Sequence, residues 1–93
     1  MQRQEIEQLL IQTLKDYFNE QSIESEVNQH TALFGANSLL DSMGLVHIIV
    51  EIESRLRNKE VSVSLISEQA MSQRNSPFRT IETLTDFILS QLV

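Results

Sequence analysis

The chain is 93 residues long, carries a formal net charge of −6 and contains no cysteine. This length predicts one domain with one hydrophobic core, and an apolar content of 41% is enough for a compact fold. The acidic balance argues against nucleic acid as a partner, because phosphates are bound by Lys and Arg. The lack of cysteine excludes disulfides, thiolate metal sites and cysteine nucleophiles.

The sequence gives no sign of insertion into a membrane. No apolar run is long enough to span a bilayer, and residues 1–5 lack the apolar segment of a signal peptide. We therefore expect a cytoplasmic protein. No feature of the sequence indicates self-association, so we also expect a monomer.

The first predicted element is an amphipathic helix over residues 4–19, where apolar residues recur at helical spacing. Its apolar stripe comprises Ile6, Leu9, Leu10, Leu14 and Tyr17, with Phe18 flanking it. Residues 20–40 lose this period and predict a long loop with a few apolar anchors. A loop of this length in a compact domain is often functional.

Residues 42–57 have the strongest helical pattern of the chain. Spacing of i, i+3, i+4, i+7 and i+11 predicts a buried stripe of Leu45, Ile48, Ile49, Ile52 and Leu56. A second set, here called the apolar row, begins beside Ser42 and comprises Met43, Val46 and Val50. A helix packed on one side does not need the apolar row, so this row is either additional core or a surface that docks partners.

The C-terminal third predicts a short helix at residues 65–73 and a turn at residues 75–77, where Pro77 disfavours helix at the residue before it. Thr80 is a suitable N-cap for a last helix. The apolar face of that helix comprises Ile81, Leu84, Ile88 and Leu92, with Phe87 and Leu89 flanking it. The predicted fold is all-α: one domain over residues 1–93, with three main helices, one short helix and a long loop after the first helix.

Ser42 has the setting of a modified serine at a helix start. Asp41 is a good N-cap, because its carboxylate can accept hydrogen bonds from unpaired amides of the first turn. Ser42 then takes the first helical position, where we expect its hydroxyl to face solvent near the positive end of the helix dipole. The same amides and dipole would stabilise a phosphate on that oxygen. No motif supplies a group that would activate the serine for catalysis.

Ser38 competes with Ser42 as the attachment point, because residues 35–39 imitate the same pattern. A helix that began at Ser38 would place Asp41, Ser42 and Gly44 where the core requires apolar side chains. The register that begins at Ser42 keeps the buried stripe intact. Ser42 is therefore the predicted site.

Residues 35–53 resemble the attachment region of acyl carrier proteins, which belong to the phosphopantetheine-attachment superfamily. Asp41-Ser42-Met43 is a conservative variant of the Asp-Ser-Leu that opens the second helix in that family, and Thr80-Ile81 is similar to its Thr-Val at the last helix. The resemblance covers about residues 4–92. It implies the same bundle and 4'-phosphopantetheine transferred from coenzyme A to Ser42, ending in a thiol that carries an acyl or aminoacyl thioester.

The motif at residues 39–44 is closer to stand-alone carriers, such as D-alanyl carrier proteins, than to fatty-acid carriers. Fatty-acid carriers usually place acidic residues just after the serine, where this chain has Gly44 and His47. The resemblance implies a non-enzymatic carrier in a dedicated pathway. Its partners would be a phosphopantetheinyl transferase, an acyl-loading ligase or synthase, and an acyl transferase. Fatty or hydroxy-acyl cargo and D-alanyl or other aminoacyl cargo both stay open.

The resemblance also assigns roles to the residues around Ser42. Asp41 would help the transferase position its metal-bound cofactor. The residues that would meet partner enzymes, here called the partner face, are Met43, Val46, His47 and Val50. The residues that are core first, and that would contact an acyl chain, are Leu45, Ile48, Ile49, Ile52 and Leu56.

Two other classes of protein compete with the carrier. One is a helical interaction module that is never modified and binds partners through the apolar row. The other is a small enzyme, for which the sequence offers no paired catalytic motif, phosphate-binding loop or metal-ligand spacing. We therefore expect a protein that is not an enzyme and holds no metal.

Overall fold

A computed structural model describes residues 2–33, 40–61, 63 and 79–91 of the chain. Its helices are α1, Arg3–Glu20; α2, Ser42–Asn58; and α3, Ile81–Gln91. The described residues form no strand, and their one isolated β-bridge joins Ala32 to Thr80. The prediction of a mostly helical protein is therefore confirmed, whereas the short helix and the turn predicted at residues 65–77 lie outside the described residues.

The core lies where α1 packs against both α2 and α3. Each helix turns one apolar stripe inward, as helical spacing of apolar residues requires. Burial of each such side chain contributes about 1.5–3 kcal/mol of transfer free energy. The buried hydrophobic residues are Ile6, Leu9, Leu10, Leu14, Phe18, Leu33, Leu45, Ile48, Ile49, Ile52, Leu56, Ile81, Leu84 and Ile88.

The sequence predicts Tyr17 in the buried stripe of α1 and Phe18 beside it, and the structure shows the reverse. Phe18 belongs to the core and is only 2% exposed, whereas Tyr17 is half-buried at the margin of the core. Phe18 continues the i+4 row through Leu10 and Leu14, which faces inward. Tyr17 lies one residue to the side of this row, so its ring packs at the edge of the core.

α1 and α2 both end in a Schellman motif, although neither has a glycine at the left-handed position. Ser22 has φ 58° and Glu60 has φ 62°. The amide of Ile23 donates to the carbonyl of Phe18 at 2.8 Å, and the amide of Val61 donates to the carbonyl of Leu56 at 2.9 Å. Ile23 and Val61 then pack against the core, which fixes the direction of the chain beyond each helix.

Glu60→Gly is expected to raise the free energy of unfolding by about 0.5–1 kcal/mol, since glycine adopts a left-handed conformation without the strain that a Cβ causes. The midpoint of thermal unfolding should rise by about 4 °C. The matched control is Glu24→Gly in the exposed loop, where φ is not positive. Glycine there only adds freedom to the unfolded chain, and an equal rise in both variants would contradict the explanation.

The loop after α1 caps the start of α3. The carbonyl of Thr31 accepts the amide of Ile81 at 3.2 Å, and the carbonyl of Gln29 accepts the amide of Glu82 at 2.9 Å. These amides belong to the first turn of α3 and have no acceptor within the helix. Leu33 is buried and anchors the end of this described part of the loop.

Thr80 is the N-cap of α3 and bonds to its first turn through its own side chain. The amide of Thr83 donates to Oγ1 of Thr80 at 3.2 Å, and the amide of Thr80 donates to Oγ1 of Thr83 at 3.0 Å. This reciprocal pair is a capping box in which Thr replaces the usual Glu or Gln. The prediction of Thr80 as the N-cap is confirmed.

Candidate functional site

Asp41 caps α2 as the sequence predicts. Its backbone is extended, with φ −85° and ψ −178°, and Oδ1 of its carboxylate accepts the amide of Gly44 at 2.7 Å. The carbonyl of Asp41 accepts the amide of Leu45 at 2.9 Å. Ser42 is therefore the first helical residue, while the predicted direction of its hydroxyl lies outside the described atoms.

The charges along α2 favour an anion at its start. The first turn contains no acidic residue, and Arg55 and Arg57 lie in the last turn. Amides at the start of a helix carry partial positive charge, and cations near its end complement the dipole. A phosphate ester at the first helical position would gain from the amides of this turn that Asp41 leaves unpaired, although the capping carboxylate lies next to it.

Asp41→Ala is expected to lower the free energy of unfolding by about 1 kcal/mol, because the amide of Gly44 loses its acceptor. Asp41→Asn is the matched control: its side-chain oxygen can accept the same bond, so most of the stability should remain. Denaturant unfolding measures both. Equal losses in the two variants would mean that the negative charge, and not the hydrogen bond, stabilises the cap.

Gly44 lies where α1 comes close to the first turn of α2. A Cβ built on Gly44 would lie 2.8 Å from Oη of Tyr17, 3.1 Å from Oδ1 of Asp41 and 3.4 Å from Cδ2 of Leu40. The first of these distances is below van der Waals contact, so a side chain at position 44 would require the hydroxyl end of Tyr17 to shift. The ring of Tyr17 also lies 5.1 Å from the ring of His47, at an interplanar angle of 38°.

Sequence analysis did not single out Tyr17 as a neighbour of the site. The residue in the sequence that indicates a close neighbour at this turn is Gly44. Glycine inside a helix is less favourable than alanine by about 1 kcal/mol, so its presence there indicates a close approach by another group.

The apolar row lies on the surface. Met43 is 78% exposed, Val46 45% and Val50 50%. Of the two alternatives for this row, additional core is therefore wrong, because neither α1 nor α3 covers this side of α2. His47, the fourth residue of the partner face, is also exposed and packs on Tyr17. The stripe predicted as core is buried along its whole length: Leu45, Ile48, Ile49, Ile52 and Leu56.

The side of α2 next to α1 carries an ion-pair network. Arg55 donates to Asp16 of α1 at 2.8 Å and to Glu51 of its own helix at 3.1 Å. Glu51 is thereby paired within α2, and its side chain stays 43% exposed. The hydrogen bond from Arg55, assisted by one from Gln12, holds the pKa of Asp16 below its ordinary value of 3.8.

The lowered pKa of Asp16 predicts that its ionised carboxylate stabilises the fold at neutral pH and that this stabilisation is lost in acid. A depressed folded pKa means that the stabilisation is present above the unfolded value near 3.8 and is lost as pH falls through the folded value. Asp16→Asn should therefore destabilise at neutral pH and converge on the parent chain in acid. Thermal unfolding across this range measures the difference, with Glu24→Gln in the exposed loop as control. A constant difference at all pH values would exclude titration of Asp16 as the cause.

A groove on another part of the described surface lies far from Ser42. An open groove of about 670 Å³ lies between α1 and the last turn of α2, and its lining includes Leu9, Gln12, Arg55 and Lys59. It is at the opposite end of α2 from Ser42. Within the described ranges, no group of three or more His, Asp or Glu side chains could hold a metal ion, and no helix is long and apolar enough to cross a membrane.

Comparison with known proteins finds no matching family model, curated protein or solved structure. The features that bear on function are therefore the sequence motif around Ser42 and the geometry at the start of α2.

Proposed function

We propose that this chain is a stand-alone carrier protein in which Ser42 receives 4'-phosphopantetheine and the arm carries an acyl or aminoacyl thioester between enzymes. In the transfer, the hydroxyl oxygen of Ser42 forms a bond to the phosphorus next to the pantetheine of coenzyme A. The pyrophosphate bond breaks, adenosine 3',5'-bisphosphate leaves, and the serine proton is released. A partner transferase catalyses this step, so the chain itself is a substrate and not an enzyme.

The observation that carries the proposal is the start of α2. Asp41 is the N-cap and Ser42 the first helical residue. This arrangement favours an anion covalently attached at that position, because backbone amides and the helix dipole both stabilise it. The motif resemblance to acyl carrier proteins concerns the same residues.

The apolar row is consistent with a carrier. A carrier must be contacted by several enzymes close to its arm. Met43, Val46 and Val50 are exposed and lie one, four and eight residues after Ser42 along α2. Exposed apolar side chains next to one another are typical of surfaces that bind partners.

A second candidate is an interaction module with the same fold that is never modified. The exposure of Met43 and its neighbours favours this candidate as much as it favours a carrier. The two proposals differ at Ser42, which an unmodified module does not require for partner binding.

The test is incubation with coenzyme A and a broad-specificity phosphopantetheinyl transferase, followed by intact mass measurement. The proposal predicts a gain of one phosphopantetheine group. A carrier of known competence in the same tube controls for transferase activity. A fully modified control beside an unchanged chain would favour the interaction module.

A further inference from the structure

The close approach of Tyr17 to Gly44 joins the last turn of α1 to the first turn of α2. The Cβ position of Gly44 lies 2.8 Å from Oη of Tyr17, so the phenol occupies space that any other residue at position 44 would fill.

A shift of Tyr17 away from this turn would change the contacts of its ring. Its ring lies 5.1 Å from the ring of His47 and 6.4 Å from the ring of Phe18, which is buried. A shift of the hydroxyl end therefore moves a ring that packs at the margin of the core. Such crowding in a packed region forces side chains from their preferred rotamers.

The second neighbour of the Gly44 Cβ position is the cap itself. Oδ1 of Asp41 lies 3.1 Å from that position and is the atom that accepts the Gly44 amide. A side chain at position 44 would thus press on Tyr17 on one side and on the capping carboxylate on the other. If the hydroxyl end of Tyr17 does not shift, the capping carboxylate of Asp41 must shift.

We propose that Tyr17 is a positioning residue for the modification of Ser42: its hydroxyl end, seated against Gly44, fixes the Asp41-capped first turn of α2 from which Ser42 is presented to the transferase. This inference rests on the proposed function. Tyr17 acts through the backbone of the turn and takes no part in the transfer. Small displacements of a reacting group lower rates strongly, because the productive geometry is narrow.

The test compares Gly44→Ala, Tyr17→Phe and the double variant for the rate of phosphopantetheine transfer at limiting chain concentration. Gly44→Ala should slow transfer by about tenfold. Tyr17→Phe alone should also slow transfer, because it removes the oxygen that lies against Gly44. In the double variant the new methyl group takes the space of that oxygen, so most of the rate should return. Arg57→Ala, exposed in the last turn of α2, controls for substitution elsewhere on the helix and should leave the rate unchanged.

Three results would overturn the inference: a normal rate for Tyr17→Phe alone, a normal rate for Gly44→Ala, or a slow rate for Gly44→Ala that the double variant does not recover. Amide hydrogen exchange at position 44 gives a second readout that needs no transferase. Gly44→Ala should speed exchange of this amide relative to the core amides of α2, and Tyr17→Phe should reverse the change. If the parent chain is never modified, the proposed function fails, and unchanged exchange in Gly44→Ala would then overturn the positioning role separately.

Discussion

Leu56→Ala is expected to lower the free energy of unfolding by about 2–5 kcal/mol. Leu56 is fully buried and closes the inner stripe of α2 near its end. Removal of its isobutyl group loses transfer free energy and leaves a cavity that the surrounding side chains fill only partly. Total stabilities of small domains are about 5–15 kcal/mol, so the variant should be close to unfolding at moderate temperature.

The matched control for Leu56→Ala is Val50→Ala on the same helix. Val50 is half exposed, and substitutions at such positions usually change stability by less than about 0.5 kcal/mol. Denaturant unfolding of both variants measures the contrast. Similar losses at the two positions would mean that α2 does not bury the stripe that the structure assigns to the core.

Ser42→Ala is expected to abolish modification completely, because the methyl group offers no oxygen to bond phosphorus. The fold should be retained, since the capping interaction is made by Asp41 and not by Ser42. Circular dichroism and the unfolding midpoint check this retention. A variant that folds normally and still gains phosphopantetheine would place the attachment elsewhere.

Ser38→Ala is the control that separates the two registers of the motif. α2 begins at Ser42, and the backbone of Asp41 before it is extended, so a helix does not run through Asp41 from Ser38. Ser38→Ala should therefore be modified at the rate of the parent chain. Loss of modification in Ser38→Ala, with Ser42→Ala still modified, would reverse the assignment.

Periodicity and capping chemistry predicted the helices of the described chain well, because both are local properties of the sequence. α1 extends one residue beyond each end of the predicted range 4–19, whereas α2 begins at the predicted residue 42 and ends one residue after the predicted residue 57. Asp41 and Thr80 were predicted as caps, since their side chains suit the amides of the turn that follows.

The features that depend on how helices meet could not be predicted. The apolar row gives the same local pattern whether another helix covers it or not, and only the positions of α1 and α3 show that Met43 is exposed. The same limit explains why Tyr17 was placed in the core stripe. Its contact with Gly44 joins residues far apart in sequence, and helical spacing carries no information about it.

The most direct test of the central claim uses the unmutated chain after reaction with coenzyme A and the transferase. Cleavage after Lys15 and Arg55 releases residues 16–55 as one peptide that contains both Ser38 and Ser42. Fragmentation of this peptide in a mass spectrometer assigns the added group to one residue. We predict a single phosphopantetheine on Ser42; an unmodified peptide, or the group on Ser38, would contradict the account.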